Sequence, residues 1–273
     1  MSIKPIAICA FLLIASTTTC TVMAQDQPAE HDADELAKKL SNPVASLISA
    51  PLQYNYDDGY ANGGYKNTVN VQPVVPISLN ADWNLISRTI LPVAYQNDVR
   101  PGTDQAGLGD TVQSFFFSPA KPTSSGLIWG LGPAALVPTG TDQLGAHTWA
   151  AGVTGVMLKQ AGPWTYGALF NHLMDVGGSG RQDISSTFLQ PFLTWGGLGQ
   201  GQTIGMNTES TYDWVHHQWT IPINVFYSKV SKWGPSWGNQ LVSYQAGVRG
   251  YAESPRGGPD WGVRLGLTFL FPK

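Results

Sequence analysis

Six charged residues stand at positions where in-out alternation turns them away from apolar neighbours: Arg88, Asp110, Glu209, Asp213, Arg249 and Arg264. Glu209 and Asp213 share one face, which at ~3.3 Å per residue separates them by about 13 Å. That is too far for a carboxylate dyad, so acid–base work by the pair is not expected. Two readings of the set stay open. The arginines either pair with the acids and fill an interior, or they form a charged constriction that sorts solutes.

Other chemistry-bearing patterns are thinner. No Gly-x-Ser-x-Gly elbow occurs. Ser118-Pro119-Ala120-Lys121 has Ser-x-x-Lys spacing but sits in an expected turn without companion motifs. His216-His217 beside Asp213 has donors for a metal, yet adjacent loop histidines are ordinary polar surface, and no metal is expected. His172 falls on an outward face near a strand end. Gly197-Leu198-Gly199-Gln200-Gly201 lacks the following helix that a phosphate loop needs. No cofactor is implied, and the expectation is a protein that is not an enzyme.

The elements that carry these residues repeat one pattern from Val44 to the C-terminus. In the last copy Trp261, Val263, Leu265, Leu267, Phe269 and Phe271 alternate with Gly262, Arg264, Gly266 and Thr268. A period of two is a β-strand with two unlike faces. Strands are expected near 47–56, 68–79, 83–95, 108–117, 127–137, 149–158, 164–174, 184–195, 203–213, 219–228, 240–251 and 261–271. The fold class is therefore all-β, a twelve-stranded antiparallel transmembrane β-barrel, with lipid against the apolar face and water inside. Connections alternate between long or acidic ones and mostly shorter ones, the asymmetry of extracellular loops and periplasmic turns.

Aromatic spacing fits a bilayer. Trp83 and Tyr95, Trp219 and Tyr227, and Trp261 and Phe271 share faces. At ~40° tilt each pair is separated by roughly 20–30 Å along the membrane normal, near the ~25 Å between aromatic girdles. Twelve strands at ~4.8 Å spacing leave a free lumen near ~10 Å. Prolines oppose regular pairing, because proline donates nothing to a ladder and a closed barrel has no edge. Pro51, Pro76, Pro92, Pro191 and Pro222 are expected to face inward, with bulges, gaps or wetted carbonyls beside Pro51, Pro92, Pro191 and Pro222.

Residues 1–24 read as a secretory signal peptide: Lys4, an apolar run from Ile6 to Ala15, and Val22-Met23-Ala24 at the cleavage site. Both cysteines, Cys9 and Cys20, fall inside it. Residues 25–43 form an N-terminal periplasmic segment and 44–273 the barrel. Within the segment, Asp32 to Leu40 carries helix signals and stops at Asn42-Pro43. So short a helix does not hold alone in water. It is expected as a tail or loose rim contact, with a plug inside the lumen as the other option.

Charged residues are 12% of the chain, about half the usual quarter, and the net charge is -3. No basic cluster serves nucleic acid. The expected partners are outer-membrane lipid and a small-molecule solute; oligomeric state is not legible.

The chain resembles a family of Gram-negative outer-membrane proteins grouped with the meta-pathway of phenol degradation. The likeness lies in Leu36-Ala37-Lys38-Lys39-Leu40-Ser41-Asn42-Pro43-Val44-Ala45-Ser46-Leu47-Ile48-Ser49, Trp83-Asn84-Leu85-Ile86-Ser87-Arg88-Thr89 and Gly107-Leu108-Gly109-Asp110. It continues in Gly162-Pro163-Trp164-Thr165-Tyr166-Gly167, Asn207-Thr208-Glu209-Ser210-Thr211-Tyr212-Asp213-Trp214 and the last strand. The resemblance implies a barrel that passes small compounds, aromatic or hydrophobic ones among them. A structural or adhesive barrel with a closed lumen is the alternative. Pro272-Lys273 after Phe271 departs from the terminal Phe common in outer-membrane proteins.

Overall fold

The structure is a computed structural model that describes residues 27–178 and 183–272. The expected signal peptide lies outside the described residues. Twelve antiparallel strands close on themselves. They are β1 (Ile48–Asp58), β2 (Tyr65–Val71 and Val74–Ser78), β3 (Trp83–Asn97), β4 (Asp104–Leu108 and Thr111–Pro119), β5 (Leu127–Val137) and β6 (Thr148–Ala161). β7 (Trp164–Gly178), β8 (Ser185–Trp195), β9 (Gln202–Thr208 and Ser210–Asp213), β10 (Gln218–Lys232), β11 (Leu241–Glu253) and β12 (Trp261–Phe271) complete the wall. β1 pairs with β12 from Ile48 opposite Phe271 to Asp58 opposite Trp261, so no edge remains. Among the described residues no helix is long and apolar enough to cross a membrane.

Polarity is inverted relative to a soluble barrel. Leu131, Val153, Met157, Val225, Val248 and Leu265 are exposed on the outer face. Inside lie Asn55, Gln72, Thr154, Asn224, Arg249 and Arg264, all buried. Aromatic rings gather at both rims. Tyr56, Tyr65, Tyr95 and Trp261 form a chain at the end bearing the long loops. Trp83 with Trp129 and Trp164 with Trp195 mark the end bearing the short turns.

Strand prolines coincide with breaks in the ladder. β2 breaks at 72–73 opposite Pro51, whose carbonyl still takes the amide of the facing Gln72 at 2.9 Å. β4 breaks opposite Pro92, whose carbonyl accepts from Gly109 at 2.8 Å. β9 breaks at Glu209 between Pro191 of β8 and Pro222 of β10, and the Glu209 amide donates to the Pro222 carbonyl at 3.3 Å. Each is the ladder bond to the proline's own carbonyl from the residue directly opposite; what is missing is the return bond that a proline N–H cannot donate. Pro51, Pro92 and Pro222 sit on the inner side as expected. Pro191 does not: it is exposed between the exposed Leu189 and Leu193, while Gln190 and Phe192 point inward. An inward phenylalanine blurs the alternation there.

The interior is not uniformly watery. Ile86, Phe116, Val156, Leu158 and Leu169 form an apolar core inside the barrel, with Val44 of the N-terminal segment inserted among them. Helix α1 (Gln27–Leu40) is longer than expected and is docked, not a loose tail. Leu36 and Ala37 are buried against Leu47, Val230 and Leu270 at the turn end. Asp34 accepts the Gly201 amide at 2.6 Å, and the Lys38 carbonyl accepts from Gln160 at 2.9 Å. Asn42 then caps the exit by accepting the Val44 amide at 3.0 Å.

Candidate functional site

Four of the six charged residues expected inside are placed there, and three of those meet. Arg264 on β12 donates from Nη1 and Nη2 to the two carboxylate oxygens of Glu209 at 2.9 and 2.7 Å. Its Nε donates to Asn55 Oδ1 at 2.8 Å, so each nitrogen of this buried guanidinium has an acceptor. Arg249 on β11 lies 3.8 Å from Glu209 and 3.4 Å from Asp57. These are looser contacts, and Arg249 Nε is buried without a hydrogen-bond partner. The Tyr251 hydroxyl donates to Asp57 at 2.8 Å, and the Arg249 guanidinium stacks 5.3 Å from the Tyr251 ring centre.

Glu209 reaches these partners by ordinary alternation. It falls between the two halves of β9, but the register against β8 and β10 is the same on both sides of it, so Glu209 points inward as Asn207 does. From there its carboxylate extends toward β11 and β12.

Arg88 is different. It lies on β3, on the opposite side of the barrel from β9, and donates to Gln72 Oε1 at 3.2 Å. Among the described residues no carboxylate stands within ion-pair distance of it. It lines a cavity of about 260 Å³ between the charged cluster and α1, together with Phe192, Phe226, Gln190 and Leu40. A second cavity of about 540 Å³ opens toward the loop end, lined by Asp57, Lys66, Arg100, Glu209, Arg249 and Arg256 among others. Tyr60, in the loop after β1, also lines it. Burial pushes its phenol well above the ordinary tyrosine range, with Asp57 adding to the rise and Arg249 opposing it.

Asp110 and Asp213 do not join the cluster. Asp110 accepts the backbone amides of Gly140 at 2.9 Å and Ala146 at 2.7 Å, holding the loop between β5 and β6. Asp213 accepts the amides of Val215 and His216 and pairs with the His216 ring at 2.7 Å, shaping the turn after β9. Asp213 sits at a strand end and Asp110 at the break within β4, places where carboxylates organise turns and loops. Asp57 and Lys66, in contrast, belong to the cluster's neighbourhood and are not among the expected residues. Ending β1 at Tyr56 hid them; continuing the alternation Tyr54, Asn55, Tyr56, Asp57 would have placed Asp57 beside Asn55 on the inner face.

Solved structures share this architecture. An outer membrane channel from Pseudomonas putida F1 superposes with a TM-score of 0.62 at 16% identity, covering 83% of this chain and 96% of that one. Outer membrane phospholipase A from Escherichia coli matches at a TM-score of 0.44 and 10% identity, over 83% and 96% of the two chains. The Salmonella typhi outer membrane phospholipase dimer with bound calcium matches at 0.44 and 11%, over 90% and 97%. No family model matches the chain, and no curated protein does. At 16% identity the likeness to the channel is one of fold. The expectation of a non-enzyme is corrected: outer membrane phospholipases are among the matched chains, and a fold does not fix an activity.

Proposed function

We propose that the protein is an outer-membrane channel for small solutes. The observation that carries this reading is the inverted barrel: a closed wall with an apolar, aromatic-rimmed outer face and a polar, charged interior. Only a bilayer rewards that arrangement, since a lipid-facing wall must satisfy all backbone groups internally and present apolar side chains outward. The similarity of fold to the Pseudomonas putida channel supports the same reading. In this orientation the short turns and α1 are periplasmic and the long loops extracellular, after removal of the leader near Ala24.

A solute would enter at the loop end, pass the Glu209, Arg249 and Arg264 layer, and reach the cavity beside Arg88 before meeting α1. Arg88, Arg249, Arg264 and Glu209 are the pore-lining residues of this proposal. The resemblance to the phenol meta-pathway group supports small aromatic or hydrophobic cargo, and the half-apolar interior suits it. A second reading, a structural barrel with a closed lumen, is favoured by α1 docked in the turn-end mouth and by the Arg264–Glu209 pair across the interior.

Planar-bilayer recording separates the two. Discrete conductance steps from the purified mature protein support the channel. A folded, heat-modifiable barrel that inserts and never conducts, and into which neutral aromatic solutes do not flux from liposomes, would establish the closed one.

A further inference from the structure

The three interior arginines are not equivalent. Arg264 makes three hydrogen bonds, two of them to a carboxylate. Arg249 lies within 3.4 and 3.8 Å of Asp57 and Glu209. Arg88 has one neutral partner, the Gln72 amide oxygen at 3.2 Å, although a guanidinium carries five N–H donors. It borders an open cavity. A largely enclosed cation with spare donors and empty space in front of it is poised for an anion, and the planar guanidinium fork matches a carboxylate.

The cavity's other wall is mixed, with two phenylalanines set among Gln190, Thr194, Asn207 and Gln245. Phe192 of β8 and Phe226 of β10 line it across from Arg88, and Leu40 of α1 closes the turn-end side. At about 260 Å³ the space exceeds the roughly 150 Å³ that holds a benzene ring in a dry protein cavity. Charge balance along the path points the same way. Among the described residues around the cluster, Arg88, Arg249, Arg264 and Lys66 stand against Asp57 and Glu209. Arg100 and Arg256 add further cations to the loop-end cavity. Such a field raises the local concentration of anions and repels cations.

We infer that the cavity is a binding site for a small amphipathic monoanion, its carboxylate docked on Arg88 and its apolar body against Phe192 and Phe226. This names the solute class for the channel reading and rests on it for its biological meaning. The binding site itself needs no conduction.

The test uses the full mature protein folded in detergent, with benzoate as probe and benzyl alcohol as its uncharged counterpart. Equilibrium dialysis should show benzoate binding at least about tenfold tighter than benzyl alcohol, the discrimination expected of one charge-assisted pair. Arg88→Gln should abolish that preference and leave benzyl alcohol binding unchanged, while Arg88→Lys should keep part of it. Equal binding of the two probes by the wild type, or benzoate binding undiminished in Arg88→Gln, overturns the inference. Should Arg88→Gln fail to give the folded form on unboiled gels, Arg88→Lys and the two-probe comparison decide. Bilayer recording on the same preparation keeps the two claims apart. Conductance without benzoate preference sinks the site and spares the channel, whereas benzoate preference without conductance does the reverse.

Discussion

Glu209 and Arg264 meet inside the barrel as a two-pronged pair, Oε1 to Nη1 at 2.9 Å and Oε2 to Nη2 at 2.7 Å. The contact spans from the broken β9 to β12, strands that are not neighbours in the wall. It exists because both residues stand at inward positions of the alternation, Glu209 two residues from Asn207 on β9 and Arg264 opposite Asn55 of β1. The interruption at Glu209, flanked by Pro191 and Pro222, leaves the register unchanged on either side.

Replacing Glu209 by Gln should cost about 3 kcal/mol of unfolding free energy, the low end of the ~3–5 kcal/mol for removing one partner of a buried pair. Gln keeps one acceptor for Arg264, but the charge of Arg264 is left without a carboxylate. Urea titration of the folded barrel in detergent measures this. The same variant should shift the reversal potential toward anion selectivity, since a negative charge leaves a narrow, poorly screened passage. Lost stability with an unchanged potential would make the pair purely structural.

Val248 and Arg249 are consecutive and face opposite ways, the first 62% exposed on the outer wall and the second 9% exposed inside. Val248→Arg should therefore destabilise a liposome-embedded barrel by about 2–4 kcal/mol, the depth-dependent cost of a cation facing lipid near mid-bilayer. A change under ~1 kcal/mol would place this stretch outside the hydrocarbon.

The helix should come away before the barrel does. Leu36 is buried against Val230 and Leu270. Leu36→Asp forfeits roughly 1.5–3 kcal/mol of apolar burial and adds a charge that the site cannot pair. Proteolysis within 27–43 should then become rapid while the heat-modifiable gel shift persists. Conductance should rise as the turn-end mouth opens. Unchanged proteolysis would show that the polar contacts of Asp34 and Lys38 hold α1 without Leu36.

The wall was legible in the sequence and the filling was not, for definite reasons. Twelve strands, their pairing order and the rim aromatics follow from period-two alternation, which one-sided burial imposes. The apolar core inside the barrel breaks that rule. Phe115, Phe116 and Phe117 are apolar on both faces of β4, with Phe116 fully buried inside and Phe117 exposed outside. Such a run gives no alternation from which to read an interior. The docking of the helix is hidden for another reason: Leu36 and Leu40 make an apolar stripe, but what covers a stripe is a matter of tertiary contact. The inward charges were legible one by one. That arginines pair with the acids inside was legible too, and Glu209 does so; Asp57 was not, since it lies just past the expected end of β1, and alternation does not say which arginine reaches Glu209 across the lumen.

Asp110 should behave as a loop anchor and not as a lumen charge. Its two carboxylate oxygens accept the amides of Gly140 and Ala146, at 2.9 and 2.7 Å, from a loop that Thr139 and Thr141 also tie to β4. Bonds to a charged acceptor contribute ~1.5–3 kcal/mol each, and the released amides are near water, so the net loss falls toward the lower figure. Asp110→Ala should loosen the loop at 140–146, giving earlier cleavage there by a broad-specificity protease added to intact cells, while Thr139 and Thr141 keep its root on β4. Barrel stability in urea should change little, because the loop lies outside the paired wall. The decisive contrast is with Glu209: ion selectivity should stay where it is in Asp110→Ala and move in Glu209→Gln. A reversal potential that shifts with the loss of Asp110 would put its charge on the permeation path and assign the loop it holds to that path as well.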